Sequence, residues 1–207
     1  MSRARRIVSA TNPYHVTARC INKDWFRLPL EEVWETFENY LFFIHHAYEV
    51  KIHAFVLMSN HYHLMISTPK CNLSEAMRYL MTEVSRSITR QSSRINQTFG
   101  GPYFAGLIDT DTHCRHVYKY IYRNPVMANL ADKVEVYPYS TLQGLVGFKK
   151  LIIPIVDDLY LFENTNVTLQ WLNKPYTAST QNNIRLALKK PVFTLPKTKS
   201  RKHNLLE

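Results

Sequence analysis

Residues 50–67, VKIHAFVLMSNHYHLMIS, constrain the fold more than any other stretch of the chain. Two apolar runs, near 50–58 and 61–67, meet at Ser59-Asn60. Each is too short for a helix, and the pair between them suits a tight turn, so the segment predicts a β-hairpin. A long amphipathic segment flanks it on either side. Residues 29–49 open with Pro29 and acidic residues and set Val33, Phe37, Tyr40, Leu41 and Ile44 at helical spacing. Residues 72–91, NLSEAMRYLMTEVSRSITRQ, do the same with Leu73, Met77, Leu80, Val84 and Ile88. Residues 14–22, YHVTARCIN, alternate like a strand, with Tyr14, Val16 and Ala18 on one side. FAGLIDT, after the break at FGGPY, predicts a fourth strand, and residues 111–123 predict a third helix. The order strand, helix, strand, strand, helix, strand predicts an α+β fold, a ferredoxin-like split βαβ sandwich. Its antiparallel sheet would carry helices on one face and leave the other free to hold a site.

The character changes after about residue 150. The apolar stretch LIIPIVDDLYLF is expected to pack back on the domain. TNVTLQWLN and TASTQNNIRLALKK predict two short helices with Ser or Thr near their starts. The organisation expected is therefore a main unit over 1–150, a helical C-terminal extension over 151–190 and a basic tail over 191–207.

Lys and Arg number 26 against 16 Asp and Glu, a formal charge of +10. Such an excess favours a polyanionic partner, nucleic acid or an anionic membrane surface, and says little about fold. The three cysteines, Cys20, Cys71 and Cys114, form neither a CxxC pair nor an even set, which fits a reduced, cytoplasmic setting. The N-terminus MSRARRIVSATNP is basic without a signal-peptide apolar stretch, and no apolar run is long enough to span a bilayer. A soluble protein is expected.

His61 and His63 lie two apart on a strand, so they share a face, roughly 7 Å apart by strand rise. Tyr62, Leu64 and Ile66 point the other way, into the core under the helices. Two imidazoles on a rigid floor can hold one metal ion, although the same spacing also arises by chance. A third ligand is offered by HVYKYIYRNP, residues 116–125. Tyr120 and Asn124, four apart on a helix, share one face. The alternative is a packing tyrosine ahead of a helix-ending Asn-Pro.

Taken together, these segments resemble a known family. AFVLMSNHYHLMIS resembles the His-hydrophobic-His strand of the single-tyrosine HUH transposases. YKYIYRNPVMANL resembles the nucleophile helix of their REP-associated branch. YHVTARCIN, LSEAMRYLMTEVSRSIT and FGGPYFAGLI match the first strand, the second helix and the segment before the tyrosine helix, so the resemblance covers about residues 12–146. It implies an endonuclease that nicks and rejoins single-stranded or hairpin DNA. His61, His63 and Asn124 would hold a divalent ion, Mg²⁺ or Mn²⁺, and Tyr120 would be the nucleophile, forming a 5′-phosphotyrosine. Imidazole ligands favour Mn²⁺ over Mg²⁺. On one helix, Tyr120 and Asn124 would move as a unit. The expected DNA contacts are Arg19, Arg86, Arg90, Arg123, Lys189 and Lys190, with further cations at Arg3, Arg5, Arg6, Arg94 and in the tail. A monomer or homodimer is expected.

Several positions depart from the family pattern. Arg19-Cys20-Ile21-Asn22 stands at the end of the first strand, Ser59 precedes Asn60-His61, and Gly101-Pro102-Tyr103-Phe104 lacks two cations. Met127 and Asn129 replace Arg and Gly, and Asn tolerates the left-handed conformation that a Gly would take there. These changes leave two other readings open: a domesticated binder of structured single-stranded DNA that does not cut, and a zinc hydrolase built on His53, His61 and His63.

Overall fold

Four strands, Tyr14–Arg19 (β1), Lys51–Leu57 (β2), His61–Ser67 (β3) and Phe104–Leu107 (β4), form one antiparallel sheet in the order β2-β3-β1-β4. This is the strand order of the split βαβ sandwich that the element sequence predicts. The computed structural model describes residues 7–93, 95–156 and 163–196. Arg94 and the basic residues of 1–6 and 197–207 lie outside these, as do residues 157–162 of the apolar stretch.

Helices Leu30–Tyr48 (α1) and Leu73–Gln91 (α2) pack on one face of the sheet. The strand alternation dictates which side chains they meet. Tyr14, Val16 and Ala18 of β1 and Tyr62, Leu64 and Ile66 of β3 join Val33, Phe37, Leu41 and Ile44 of α1 and Met77, Leu80, Val84 and Ile88 of α2 in one buried cluster. Each large apolar side chain fully buried there contributes about 1.5–3 kcal/mol.

The second face is covered as well, unlike the open face expected. Helix Asp111–Met127 (α3) lies across it, with a short turn of helix at Leu142–Leu145 (α4) and the helices Thr165–Asn173 (α5) and Ala178–Ala187 (α6). Val56, Met58 and Met65 of the hairpin pack there against Val117, Tyr118, Ile121 and Tyr122 of α3, Leu172 of α5 and Ile184 of α6. The two C-terminal helices start where their polar residues predict. Asn164 accepts from the Val167 N–H, and Thr177 from the Thr180 N–H.

Later segments also cover both edges of the sheet. Leu57 N–H donates to Tyr139 O at 3.0 Å, and Val156 N–H donates to Ile52 O at 2.8 Å. On the far edge, Leu107 N–H donates to Pro191 O and Phe193 N–H to Leu107 O, both at 2.8 Å. A Cβ at Gly106 would stand 2.9 Å from the Lys190 carbonyl oxygen, so only glycine lets that segment come so close. Covered edges remove the template that open strands offer to other chains.

Helix α3 runs past Pro125 to Met127, beyond the expected end at 123. The Pro lacks an N–H, but the final turn closes without it. Ala128 N–H donates to Asn124 O at 3.0 Å, and Asn124 Nδ2 donates to Tyr120 O at 2.8 Å. The helix stops at Asn129, whose φ of 55° is left-handed. Leu130 N–H then reaches Pro125 O at 2.9 Å and Asn129 N–H reaches Val126 O at 3.1 Å, the paired bonds of a left-handed helix end. At the other end of the chain plan, β1 is shorter than residues 14–22. After Arg19 the chain leaves the sheet through a 3-10 turn at Ile21–Lys23, with Asn22 and Lys23 at positive φ.

Candidate active site

His61 and His63 share the second sheet face, their ring centroids 5.1 Å apart and nearly perpendicular. Helix α3 brings Tyr120 edge-on to His63, with centroids 5.6 Å apart. Asn124 sits one turn further along the same helix and is buried. Residues separated by some sixty positions thus meet because α3 crosses the hairpin on the side that α1 and α2 leave free.

Each imidazole is tied at Nδ1. His61 Nδ1 is 2.8 Å from Asn60 Oδ1, while Asn60 Nδ2 donates to Lys23 O at 2.7 Å. Amide oxygen accepts only, so His61 carries its proton on Nδ1 and leaves the Nε2 lone pair open. His63 Nδ1 is 2.9 Å from His15 Nε2. His15, on β1, stacks on His63 with centroids 5.2 Å apart and meets Tyr120 edge-on at 6.4 Å.

The electrostatics keep these rings neutral. Burial lowers the His61 pKa to about 4, helped by the charge of Arg19, its neighbour across the β1–β3 ladder. Burial, then His15, His61 and Arg19, hold His63 well below the ordinary value. Burial alone takes His15 to about 4. The Tyr120 phenol is pushed up by burial, against the opposing pull of Arg185, Arg19 and an Asn124 hydrogen bond.

This donor set suits a divalent ion. Metal-binding imidazoles must be neutral, with the second nitrogen held by a partner, and both conditions are met. The Asn124 Nδ2 donates to the Tyr120 carbonyl, so Oδ1 is the amide atom able to serve as a ligand. His53 does not belong to the group. It occupies the irregularity between Ile52 and Ala54, and its Nε2 is 2.6 Å from Ser67 Oγ. Ser67 lies four residues along β3 from His63, roughly 13 Å away by strand rise. Among the described residues no cluster of three or more His, Cys, Asp or Glu could hold a metal, and the position of His53 counts against a site built from His53, His61 and His63.

The expected DNA contacts fall in different places. Arg19 is exposed at the histidine end of β1, and Lys189 and Lys190 are exposed just beyond α6. Arg86 and Arg90 are exposed on α2, in the opposite layer, with Arg86 paired to Glu83 at 2.8 Å. Arg123 is only 7% exposed. Its Nη1 donates to Leu172 O at 3.0 Å and to Asn173 O. Those carbonyls end α5, where a cation is favoured by the helix dipole, so Arg123 is not presented to a phosphate. Lys119 lies on the same side of α3, its Nζ 5.2 Å from the Trp171 ring centroid and 4.7 Å from that of Tyr176.

Sequence reasoning missed His15, Asn60 and Arg185. The alternation that sends Tyr14, Val16 and Ala18 to the core also sends His15 to the histidine face, a signal present in the sequence. The predicted sandwich already sets β1 beside β3, so what the sequence left out is the ring-to-ring contact between His15 and His63 across those strands. Nothing local marks Arg185, whose charge is felt at the phenol only because α6 packs on this face.

The family model described as "Transposase IS200 like" matches residues 10–124. No curated protein matches the chain. Among solved structures, that of a REP-associated tyrosine transposase bound to a REP hairpin is similar over 76% of this chain and 93% of its own, with 22% identity and a TM-score of 0.60. A structure from Deinococcus radiodurans, described as a transposase candidate, covers 63% of this chain and 98% of its own at 15% identity and a TM-score of 0.40. No helix among the described residues is long and apolar enough to cross a membrane.

Proposed function

The chain belongs to the IS200-like transposase family, and from that premise we propose that it nicks and rejoins single-stranded DNA with Tyr120 as the nucleophile. The observation that carries this reading is the placement of the Tyr120 ring, edge-on to His63 on the face that His61 also occupies. A fold shared with a REP-hairpin-bound protein supports a hairpin-forming strand as the substrate.

In the proposed reaction the Tyr120 phenol oxygen attacks the scissile phosphorus. The bond from phosphorus to the 3′ oxygen breaks, and that oxygen leaves as a hydroxyl, taking up the proton the phenol has lost. The 5′ phosphate stays on Tyr120 as an ester. A second 3′-hydroxyl then attacks the same phosphorus and releases the tyrosine, so one phosphodiester replaces another with no nucleotide consumed.

Burial keeps the phenol protonated until attack, while Arg185 and Arg19 favour the phenolate as it forms. His61, His63 and Asn124 would hold a divalent ion, with Mn²⁺ suited to the imidazoles, that neutralises and polarises the phosphate. Asn60 and His15 hold the two imidazoles in ligand-ready orientation. All of these groups come from one chain, which supports a site complete in a monomer.

The test is incubation with labelled hairpin DNA and Mn²⁺, followed by denaturing electrophoresis. A denaturant-resistant protein–DNA species is expected, and Tyr120→Phe should abolish it while DNA binding persists. Retarded DNA with no adduct from the unaltered protein would instead support the non-cleaving binder.

A further inference from the structure

A groove of about 1000 Å³ runs between one flank of α2 and the segment 97–103, on the layer opposite the histidines. Its rim carries Arg78, Arg86 and Arg90, and the apolar surface between them comes from the part-exposed Met81 and the exposed Pro102, with only the edges of Phe99 and Tyr103 showing. Among the described residues no acidic side chain lines it. Arg78 and Arg90 are exposed and have no acidic partner among the described residues, whereas Arg86 is held by Glu83.

The groove does not end on the helix layer. Its wall at Gly101 and Pro102 is also the wall of a second concavity, lined by Arg19, Asn22 and Lys23. The chain at 98–100 makes that link by running beside the end of β1. Ile21 N–H donates to Thr98 O and Gly100 N–H to Arg19 O, both at 3.0 Å. Arg19 faces His61 across the ladder, and its charge is felt at His61, His63 and Tyr120. Cations therefore line both concavities, from α2 around the end of β1 to Arg19 beside the histidine pair.

We propose that these concavities form a track for single-stranded DNA, which holds the strand continuing away from the cleavage point. The inference rests on the reading of Tyr120 as a DNA nucleophile. Charge sets the polyanion, and the floor sets its form. Unstacked bases need apolar and aromatic surface beneath them, while cations at the rim meet the phosphates. A duplex offers phosphates alone and has no use for the apolar surface of Met81 and Pro102 between the arginines. The path also gives Gly101 and Pro102 a purpose: a low saddle with no cationic side chains, between two cationic stretches.

The experiment compares a short hairpin oligonucleotide, spanning only the cleavage point, with versions extended by ten unpaired nucleotides on either side. Fluorescence anisotropy across a salt series reads binding, and gel analysis reads the adduct. With the unaltered protein, one extended oligonucleotide should bind more tightly than the short one. Arg78→Ala with Arg90→Ala should remove that advantage and lower the salt slope by about 1.4, two contacts at ~0.7 each for single strands. Adduct formation on the short oligonucleotide should be unchanged. Equal binding of all lengths, an unaltered slope in the double variant, or equal gain from a duplex extension would overturn the track. Length- and arginine-dependent binding with no Tyr120 adduct would uphold the track and overturn the nucleophile instead.

Discussion

His15 Nε2 lies 2.9 Å from His63 Nδ1, in a contact between β1 and β3 that water does not reach. His15 is 2% exposed and its own Nδ1 has no hydrogen-bond partner among the described residues, so the ring meets the site through its Nε2. If His63 offers Nε2 as a ligand, its Nδ1 carries the proton and His15 is the acceptor. The imidazole pair is then set by a neighbouring strand as well as by its own.

Removing that acceptor should weaken the metal site. His15→Ala should lower Mn²⁺ affinity by roughly ten- to a hundredfold, the usual effect of losing a ligand's outer partner. His15→Gln, which keeps a polar atom near Nε2, should recover part of the loss. Titration calorimetry reads both, and equal affinity in all three proteins would show that His63 needs no such partner.

Asn60 performs the same service for His61 and anchors the Lys23 carbonyl as well. Asn60→Ala should reduce adduct formation far more than it reduces stability, because the residue is only part-buried. A loss of about 1 kcal/mol by thermal melting is expected. Unimpaired adduct yield would mean that His61 is oriented without it.

Stability should fall in acid. The folded-state pKa is lowered to about 4 for His15, His53 and His61, and burial holds His63 well below the ordinary histidine value. Unfolded histidines take up protons near pH 6.5, so the unfolded state binds more protons as pH drops from there toward 4. Their neutral burial therefore costs nothing above that range and destabilises the fold progressively below it, by at most ~1.4 kcal/mol per pH unit for each histidine. Urea midpoints measured from pH 7.5 to 4.5 should decline, and His15→Gln should flatten the decline. A midpoint independent of pH over this span would contradict the neutral, buried histidines.

Arg123 should behave as a structural residue. Arg123→Ala leaves the Leu172 and Asn173 carbonyls at the end of α5 without their charged donor, a loss of roughly 2–3 kcal/mol. The melting temperature should drop while the salt slope of DNA binding stays the same. A slope reduced by one phosphate contact at unchanged stability would return Arg123 to the DNA surface.

Periodicity alone determined much of this protein. The two-residue alternation of β1 and β3 sorted Tyr14 and Tyr62 from His61 and His63, and helical spacing put Tyr120 and Asn124 on one face. Those are local consequences of backbone geometry, readable from a few neighbouring residues. The order of elements also predicted which strand lies beside which, but which side chains touch across the strands, and what α3 is pressed against, depend on packing between distant segments. Packing across the sheet set His15 against His63, the docking of α5 withdrew Arg123 from solvent, and α6 carried Arg185 toward the phenol. A cation looks the same in sequence whether it meets a phosphate or a helix end, because burial, which separates the two, exists only once the tertiary fold is complete.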